Sequence, residues 1–246
     1  MVGVVNNTFK RLLQERVNQI PKRDDIQENY NCSKCRDLLY TFNELGQAVP
    51  CECKDKVESI EKLKKSGLEE AFKNKTIDNF QVTNKKQMEA KEIAMEYCKN
   101  FKKTNASLII TGRPGAGKTH LATGVMLNLI GQNVGCKYEL YTSMLMSLKQ
   151  SAMDDENHNR EKAKYFNPRV LFLDDFLKGK PTDADLKYIF ELVNERYLKK
   201  KPFIISTEMS MKQIISWDEA VGSRLQEMAQ GYIVEFGTMV ENYRLK

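Results

Sequence analysis

Apolar residues recur along the chain at two periods. Phe9, Leu12, Leu13, Val17 and Ile20 fall on one face at helical spacing, and Pro21 ends that segment. Ala90, Ile93, Ala94, Tyr97, Cys98 and Phe101 repeat the helical spacing, as do Leu186, Ile189, Phe190, Val193 and Tyr197. Between the helical patterns lie apolar runs of strand length: LIIT at 108–111, then 137–141, 170–174, 203–206 and 232–236. Strands alternating with helices predict an α/β fold, a mostly parallel sheet covered on both faces. Residues 54–75 break this rhythm. They are rich in lysine and glutamate with Ser66-Gly67 in their midst, and read as a helical or flexible linker. The predicted organisation is a small module at 1–54, a linker at 55–75 and a larger domain at 76–246.

Composition narrows this picture only slightly. The chain has 246 residues, 41% hydrophobic and 29% charged, ordinary values for a globular protein. No apolar run approaches the roughly 20 residues needed to cross a bilayer. The opening MVGVVNNTFK has a four-residue apolar start and then turns polar, unlike a secretory signal, so a cytoplasmic protein with no membrane partner is expected. A net charge of +6 permits contact with nucleic acid without requiring it. The run Lys199, Lys200 and Lys201 falls at the predicted C-terminal end of a helix, where cations complement the helix dipole.

Candidate chemistry begins at LIITGRPGAGKTHLA, residues 108–122, an apolar strand that runs through a glycine-rich turn into a helix. Gly112, Gly117, Lys118 and Thr119 match GxxxxGK[ST]. Gly112, Gly115 and Gly117 let successive backbone N–H groups point at phosphate oxygens, reinforced by the positive end of the following helix. Lys118 is expected to neutralise the β- and γ-phosphates, and the Thr119 hydroxyl to hold Mg²⁺. The second half of such a site is an apolar strand ending in acids. VLFLDDF at 170–176 supplies it, with Asp174 orienting Mg²⁺ and Asp175 polarising the attacking water. The nucleotide set expected from the motif for ATP or ADP is Gly112, Gly115, Ala116, Gly117, Lys118, Thr119, His120 and Asp174.

Four of the six cysteines cluster. Cys32 and Cys35 form CxxC, and Cys51 and Cys53 form CxC fifteen residues further on. Two close thiol pairs brought together by a hairpin supply the four ligands of a tetrahedral zinc site. His120 and His158 lie far outside the cluster, so the cysteines must serve alone. Cys98 on a predicted core face and Cys136 beside a strand read as small buried hydrophobes.

Taken together, the four-cysteine module, TIDNF at 76–80, the phosphate loop, LDDFLKGKPTDADLKYIFELVNERY and the late GSRL resemble the DnaC/DnaI helicase loaders in their phage and prophage form. The resemblance covers nearly the whole chain. It implies an AAA+ P-loop ATPase domain preceded by a small zinc-binding domain that meets the helicase. It also implies self-association through the AAA+ domain, and ATP-dependent delivery of a hexameric replicative DNA helicase to single-stranded DNA. It places the phosphate-loop lysine on Lys118, the Mg²⁺ aspartate on Asp174, an arginine finger on Arg224 and a second nucleotide-sensing arginine on Arg244. The same family grips single strands around 143–165, making Lys149, Arg160, Lys162 and Lys164 candidates. Two departures stand out: Asp175 replaces the usual glutamate, which suits slow hydrolysis, and Glu208 replaces the usual asparagine sensor, leaving Ser206 or Thr207 as substitutes. The alternatives are a transposition helper ATPase similar to IstB, which lacks the zinc module, a small-molecule P-loop kinase, and a nucleotide-gated adaptor with negligible hydrolysis.

Overall fold

The computed structural model describes residues 30–65, 68–179 and 181–237. The predicted helix at Phe9–Ile20 and Arg244 lie outside the described residues. The chain divides into two compact units, Met1–Cys51 and Glu52–Lys246.

In the first unit, strands β1 (Tyr40–Phe42) and β2 (Ala48–Pro50) pair antiparallel with Thr41 opposite Val49. The turn between them is closed by Asn43, whose side-chain oxygen accepts the N–H groups of Leu45 and Gln47.

The second unit is built on a parallel sheet. Its described strands are β3 (Leu108–Thr111), β4 (Cys136–Leu140), β5 (Val170–Phe176), β6 (Phe203–Thr207) and β7 (Ile233–Glu235), in the order β4-β5-β6-β3-β7. Strands β3 and β6 are buried along their whole length, which is why they read as continuous apolar runs rather than as alternating ones. The period of two sorts their side chains onto two faces. Leu108, Ile110, Phe172 and Ile204 enter one cluster with Ala94, Tyr97 and Phe101 of helix α3 (Lys85–Thr104) and Leu121 and Val125 of α4 (Lys118–Gly131). Ile109, Leu171, Leu173, Phe203 and Ile205 enter the other. There they meet α5 (Tyr141–Ser151), α6 (Asp155–Phe166), α7 (Asp183–Leu198), α8 (Met211–Trp217) and α9 (Glu219–Ala229). Local caps support these boundaries: Thr182 and Asp185 form a reciprocal capping box that starts α7. Cys98 and Cys136 are buried in the first cluster as expected, and burial pushes the Cys98 thiol up to about 12.

Residues 54–75, expected as a helical or flexible linker, are largely helical. Residues Lys54–Lys65 and Glu69–Lys73 form two helices, here α1 and α2, and belong to the second unit. Leu63 and Phe72 are buried in its core, and the Phe72 ring meets Tyr138 edge-on at 4.8 Å. Two apolar anchors suffice to pack a segment whose lysine- and glutamate-rich composition otherwise signals a solvated connection.

Candidate nucleotide and metal sites

Strand β3 delivers the chain into the glycine-rich loop, and α4 begins at Lys118 directly after it. Gly117 has φ +99, and a Cβ there would lie 2.8 Å from the Phe80 ring; a Cβ on Gly112 would lie 2.8 Å from Phe236 Cβ. Only glycine fits at either place. The Lys118 ammonium donates to the carbonyl oxygens of Gly112 at 2.8 Å and Arg113 at 3.0 Å. Burial lowers the pKa of Lys118, while the charges of Glu208, Asp175 and Asp174 oppose that shift.

Asp174 is buried near the end of β5, held by three elements. Its Oδ1 accepts from the Thr119 hydroxyl at 2.9 Å and from the Ser206 hydroxyl, and its Oδ2 accepts from the Tyr138 hydroxyl at 3.3 Å. Burial first, and then the Asp174 charge, push the Tyr138 hydroxyl pKa up. A hydroxyl of the loop helix on a buried carboxylate is the donor set that Mg²⁺ accepts in phosphate-loop proteins. The pairing of β5 with β6 is irregular between Leu173 and Phe176, and within that irregularity Asp175 takes φ +53. The bulge turns its half-buried carboxylate toward the loop, where it pairs with the Lys178 ammonium at 2.7 Å.

Between the loop and these acids lies a cleft of about 370 Å³ lined by Gly115, Ala116, Gly117, Lys118, Thr119, His120, Asp175 and Glu208. Sequence reasoning missed seven further lining residues, among them Lys75, Phe80, Gln87 and Lys178. Phe80 is the last residue of TIDNF, a stretch noted for resemblance but given no role. Two contacts bring it here. The Thr76 carbonyl oxygen lies 2.9 Å from His120 Nε2, and a Cβ on Gly124 would lie 2.6 Å from the Ile77 nitrogen. The ring of His120 meets Phe80 edge-on at 5.5 Å, and burial lowers its pKa. Ser206 supports Asp174, and Thr207 donates to the Phe176 carbonyl at 2.7 Å. Glu208 is exposed at the cleft, 4.0 Å from Lys178.

Arg224 is not brought to the cleft of its own chain. Its guanidinium donates to the Ala220 carbonyl at 2.8 Å and lies over the rings of Phe190 and Tyr197 at 5.4 and 5.7 Å. The basic candidates around α5 and α6 all have acidic partners: Lys149 pairs with Asp185, Arg160 with Glu156, Lys162 with Glu191 and Lys164 with Glu161.

The four clustered thiols converge. The Sγ atoms of Cys32, Cys35, Cys51 and Cys53 all lie within 4.8 Å of one another, with Cys32 and Cys51 at 3.8 Å. Zinc–sulfur bonds of about 2.3 Å in a tetrahedron set sulfurs about 3.8 Å apart, so the donor set fits zinc. Asp37 shapes the first knuckle by accepting the N–H groups of Asn31 at 3.1 Å and Cys32 at 2.9 Å. Those bonds hold its carboxyl below the usual range. Left-handed backbone at Arg36, Asp37 and Leu39 turns the chain back toward the second thiol pair.

The model of the family described as "IstB-like ATP binding protein" matches residues 54–230. The chain belongs to the IstB/DnaC-like AAA+ ATPase family. Among curated proteins, YqaM of Bacillus subtilis is 37% identical over 199 residues, 75% of this chain and 62% of that protein's length. The phage-like element PBSX protein XkdC of the same organism is 31% identical over 221 residues, 83% of this chain and 82% of its own. An insertion-sequence ATP-binding protein of Geobacillus stearothermophilus is 27% identical, covering 70% of this chain and 68% of its own. Among solved structures, the DnaC helicase loader superposes with a TM-score of 0.60 at 25% identity, covering 67% of this chain and 98% of that one. The family match starts at the first residue of α1, in keeping with a helix that packs into the core. Among the described residues of this family member, no helix is long and apolar enough to cross a membrane.

Proposed function

We propose that the chain is an ATP-driven loader that delivers a hexameric replicative DNA helicase onto single-stranded DNA at replication initiation. The observation that carries this reading is the four-thiol knuckle standing ahead of an ATP-binding core of this family. The likeness to the DnaC loader, which extends over nearly all of that chain, supports it.

In this reading the backbone N–H groups from Gly115 to Thr119 and the Lys118 ammonium hold the β- and γ-phosphates, with Lys118 exchanging the Gly112 and Arg113 carbonyls for phosphate oxygens. Thr119 and Asp174 would hold Mg²⁺, which neutralises phosphate charge when bound. Tyr138 and Ser206 keep the Asp174 carboxylate oriented. Asp175 polarises water. Its pairing with Lys178 and its side chain, one methylene shorter than glutamate, suit slow hydrolysis that a partner accelerates. Arg224 acts across a subunit boundary on a neighbour's nucleotide. Cys32, Cys35, Cys51 and Cys53 hold zinc, which folds the module that docks on the helicase.

The test is co-purification with a hexameric replicative helicase, together with phosphate release measured with and without helicase and single-stranded DNA. The expected results are capture and stimulation. Arg224→Ala subunits should bind nucleotide, fail to hydrolyse it alone, and recover when Lys118→Ala subunits supply Arg224. Absence of helicase capture by the zinc-loaded full chain rejects the loader reading. The second reading, a transposition helper, draws on the family description and the insertion-sequence relative. Stimulation by a transposase rather than a helicase would establish it.

A further inference from the structure

A parallel sheet has two unlike ends, and the nucleotide cleft occupies one. The phosphate loop follows the C-terminal end of β3, and Asp174 lies toward the same end of β5. At the opposite end, the segments entering β4, β5 and β6 line a groove of about 730 Å³ together with α1 and α6. Its cations are Lys137, Lys164, Arg169, Lys199, Lys200 and Lys201, and its acids are Asp55 and Glu58.

The pairing of these charges is uneven. Lys137, Lys164 and Lys199 have glutamate partners at positions 139, 161 and 195. Arg169, Lys200 and Lys201 have no carboxylate at ion-pair distance among the described residues. Arg169 donates to the Asn105 side-chain oxygen at 3.1 Å, and the Lys201 ammonium donates to the carbonyls of Phe166 and Asn167, both at 2.9 Å. Beneath them lies Arg196, 0% exposed. Its guanidinium donates to the carbonyls of Tyr165, Pro168, Arg169 and Pro202 and stacks on Phe203 at 4.8 Å, with no carboxylate among its partners. Burial lowers its pKa to about 9, so it remains cationic at neutral pH. Arg196 therefore ties the loops before β5 and β6 together and adds a buried positive charge beneath a groove whose six cations outnumber its two acids, Asp55 and Glu58.

The lining also discriminates among anions. Between the cations it presents small or polar residues, Ser59, Gly135, Ala163 and Asn167, and no aromatic side chain. Protein docking draws on buried aromatic or aliphatic anchors, and stacking on bases needs rings. A groove with neither is suited to a chain of phosphates, whose affinity comes from cations and counterion release alone.

We propose that this groove binds the phosphodiester backbone of single-stranded nucleic acid without sequence preference, a choice of single strand over duplex that rests on the loader reading. The site shares only Lys164 with the α5–α6 candidates, and its cations without a carboxylate partner, Arg169, Lys200 and Lys201, lie outside them.

The experiment uses the full chain and a fluorescein-labelled oligothymidylate of about 20 nucleotides, with anisotropy followed across a salt series. The groove variant is Arg169→Gln with Lys199→Gln and Lys200→Asn. Asparagine suits position 200, where φ is +50. Near about 0.15 M salt this variant should bind about tenfold or more weakly, and its log–log salt slope should fall by about 2, from three lost phosphate contacts at roughly 0.7 each. Arg169→Lys with Lys200→Arg keeps the charges and should retain binding. Lys149→Gln with Arg160→Gln and Lys162→Gln should stay within about twofold of the parent. Three results would overturn the proposal: an unchanged constant and slope in the groove variant, an equal loss in the α5–α6 variant, or competition by inorganic triphosphate as effective as that by unlabelled oligonucleotide at matched charge. Helicase capture is scored separately. A parent chain that binds the oligonucleotide through the groove yet captures no helicase defeats the loader reading and leaves the groove assignment standing.

Discussion

The thiol hairpin and the nucleotide-binding core solve the same problem by different means. Among the described residues of the hairpin unit, Leu38 is 75% exposed, Phe42 78% and Leu45 81%, while the buried side chains are Cys35 and Cys51. In the core, Leu108, Ile109, Ile110, Leu171, Phe172 and Leu173 are all 0% exposed, and two apolar clusters flank the sheet. Burial at about 25 cal/mol per Å² can hold a sheet with both faces covered. It cannot hold a hairpin of three-residue strands, which is marginal in water by itself. In the reading proposed above, the hairpin depends on zinc joining its thiols, and the core does not.

The strongest way to break this comparison is to remove the thiol site. Cys51→Ser with Cys53→Ser should unfold the module, since structural zinc in small peptides supplies on the order of 10 kcal/mol. The core's melting transition and nucleotide binding should persist. Zinc content, proteolysis of the hairpin and calorimetry check this, and simultaneous loss of the core transition would show that the two regions do not fold separately.

A cavity in the sheet makes the converse cut. Phe172→Ala should destabilise the core by about 3–5 kcal/mol, because that ring is fully buried against Tyr138 at 5.1 Å. Bound zinc per chain should not change. Denaturant unfolding beside metal analysis measures both quantities, and metal lost in parallel with core stability would erase the distinction.

Ligand should stabilise the core alone. At about 100 times its dissociation constant, nucleotide adds roughly 2.7 kcal/mol to the state that binds it. Lys118→Ala should abolish that increment in the core's thermal transition and leave the hairpin's zinc content as it was. A Lys118→Ala core that is still raised by ATP would move the binding site elsewhere.

The smallest effect is a pH dependence. His120 is half-buried, and desolvation sets its folded-state pKa below the ordinary 6.5. The unfolded chain therefore takes up a proton first as pH falls. Core stability should be full above about 6.5 and decline as pH drops from there through the lowered folded value. His120→Gln should flatten this part of the profile, measured as melting temperature against pH. An identical slope in the variant would assign the dependence to other groups.

Much of the core was legible because its signals are local. The loop glycines, Lys118 and Thr119 lie within eight consecutive residues, and the strand runs at 137–141, 170–174, 203–206 and 232–236 overlap the observed strands. Fully buried parallel strands announce themselves as apolar runs. The packing of 54–75 was not legible because its two anchoring side chains, Leu63 and Phe72, are outnumbered by charges, and composition averages over what packing decides.

The sequence by itself determined the loop that turns toward a phosphate, the strands that feed it and the spacing of four thiols, because each depends on neighbours a few residues apart. Only the tertiary structure decided which distant groups meet. Asp174 collects hydroxyls from Thr119, Tyr138 and Ser206 because β4, β5 and β6 are adjacent in register and α4 starts beside them. Lys199–Lys201 form part of a groove, beyond ending a helix, because the sheet order sets the entry to β6 beside the entries to β4 and β5. Strand order and register arise from the packing of whole faces, and hydrophobic periodicity records which side of a strand is buried without recording its neighbour.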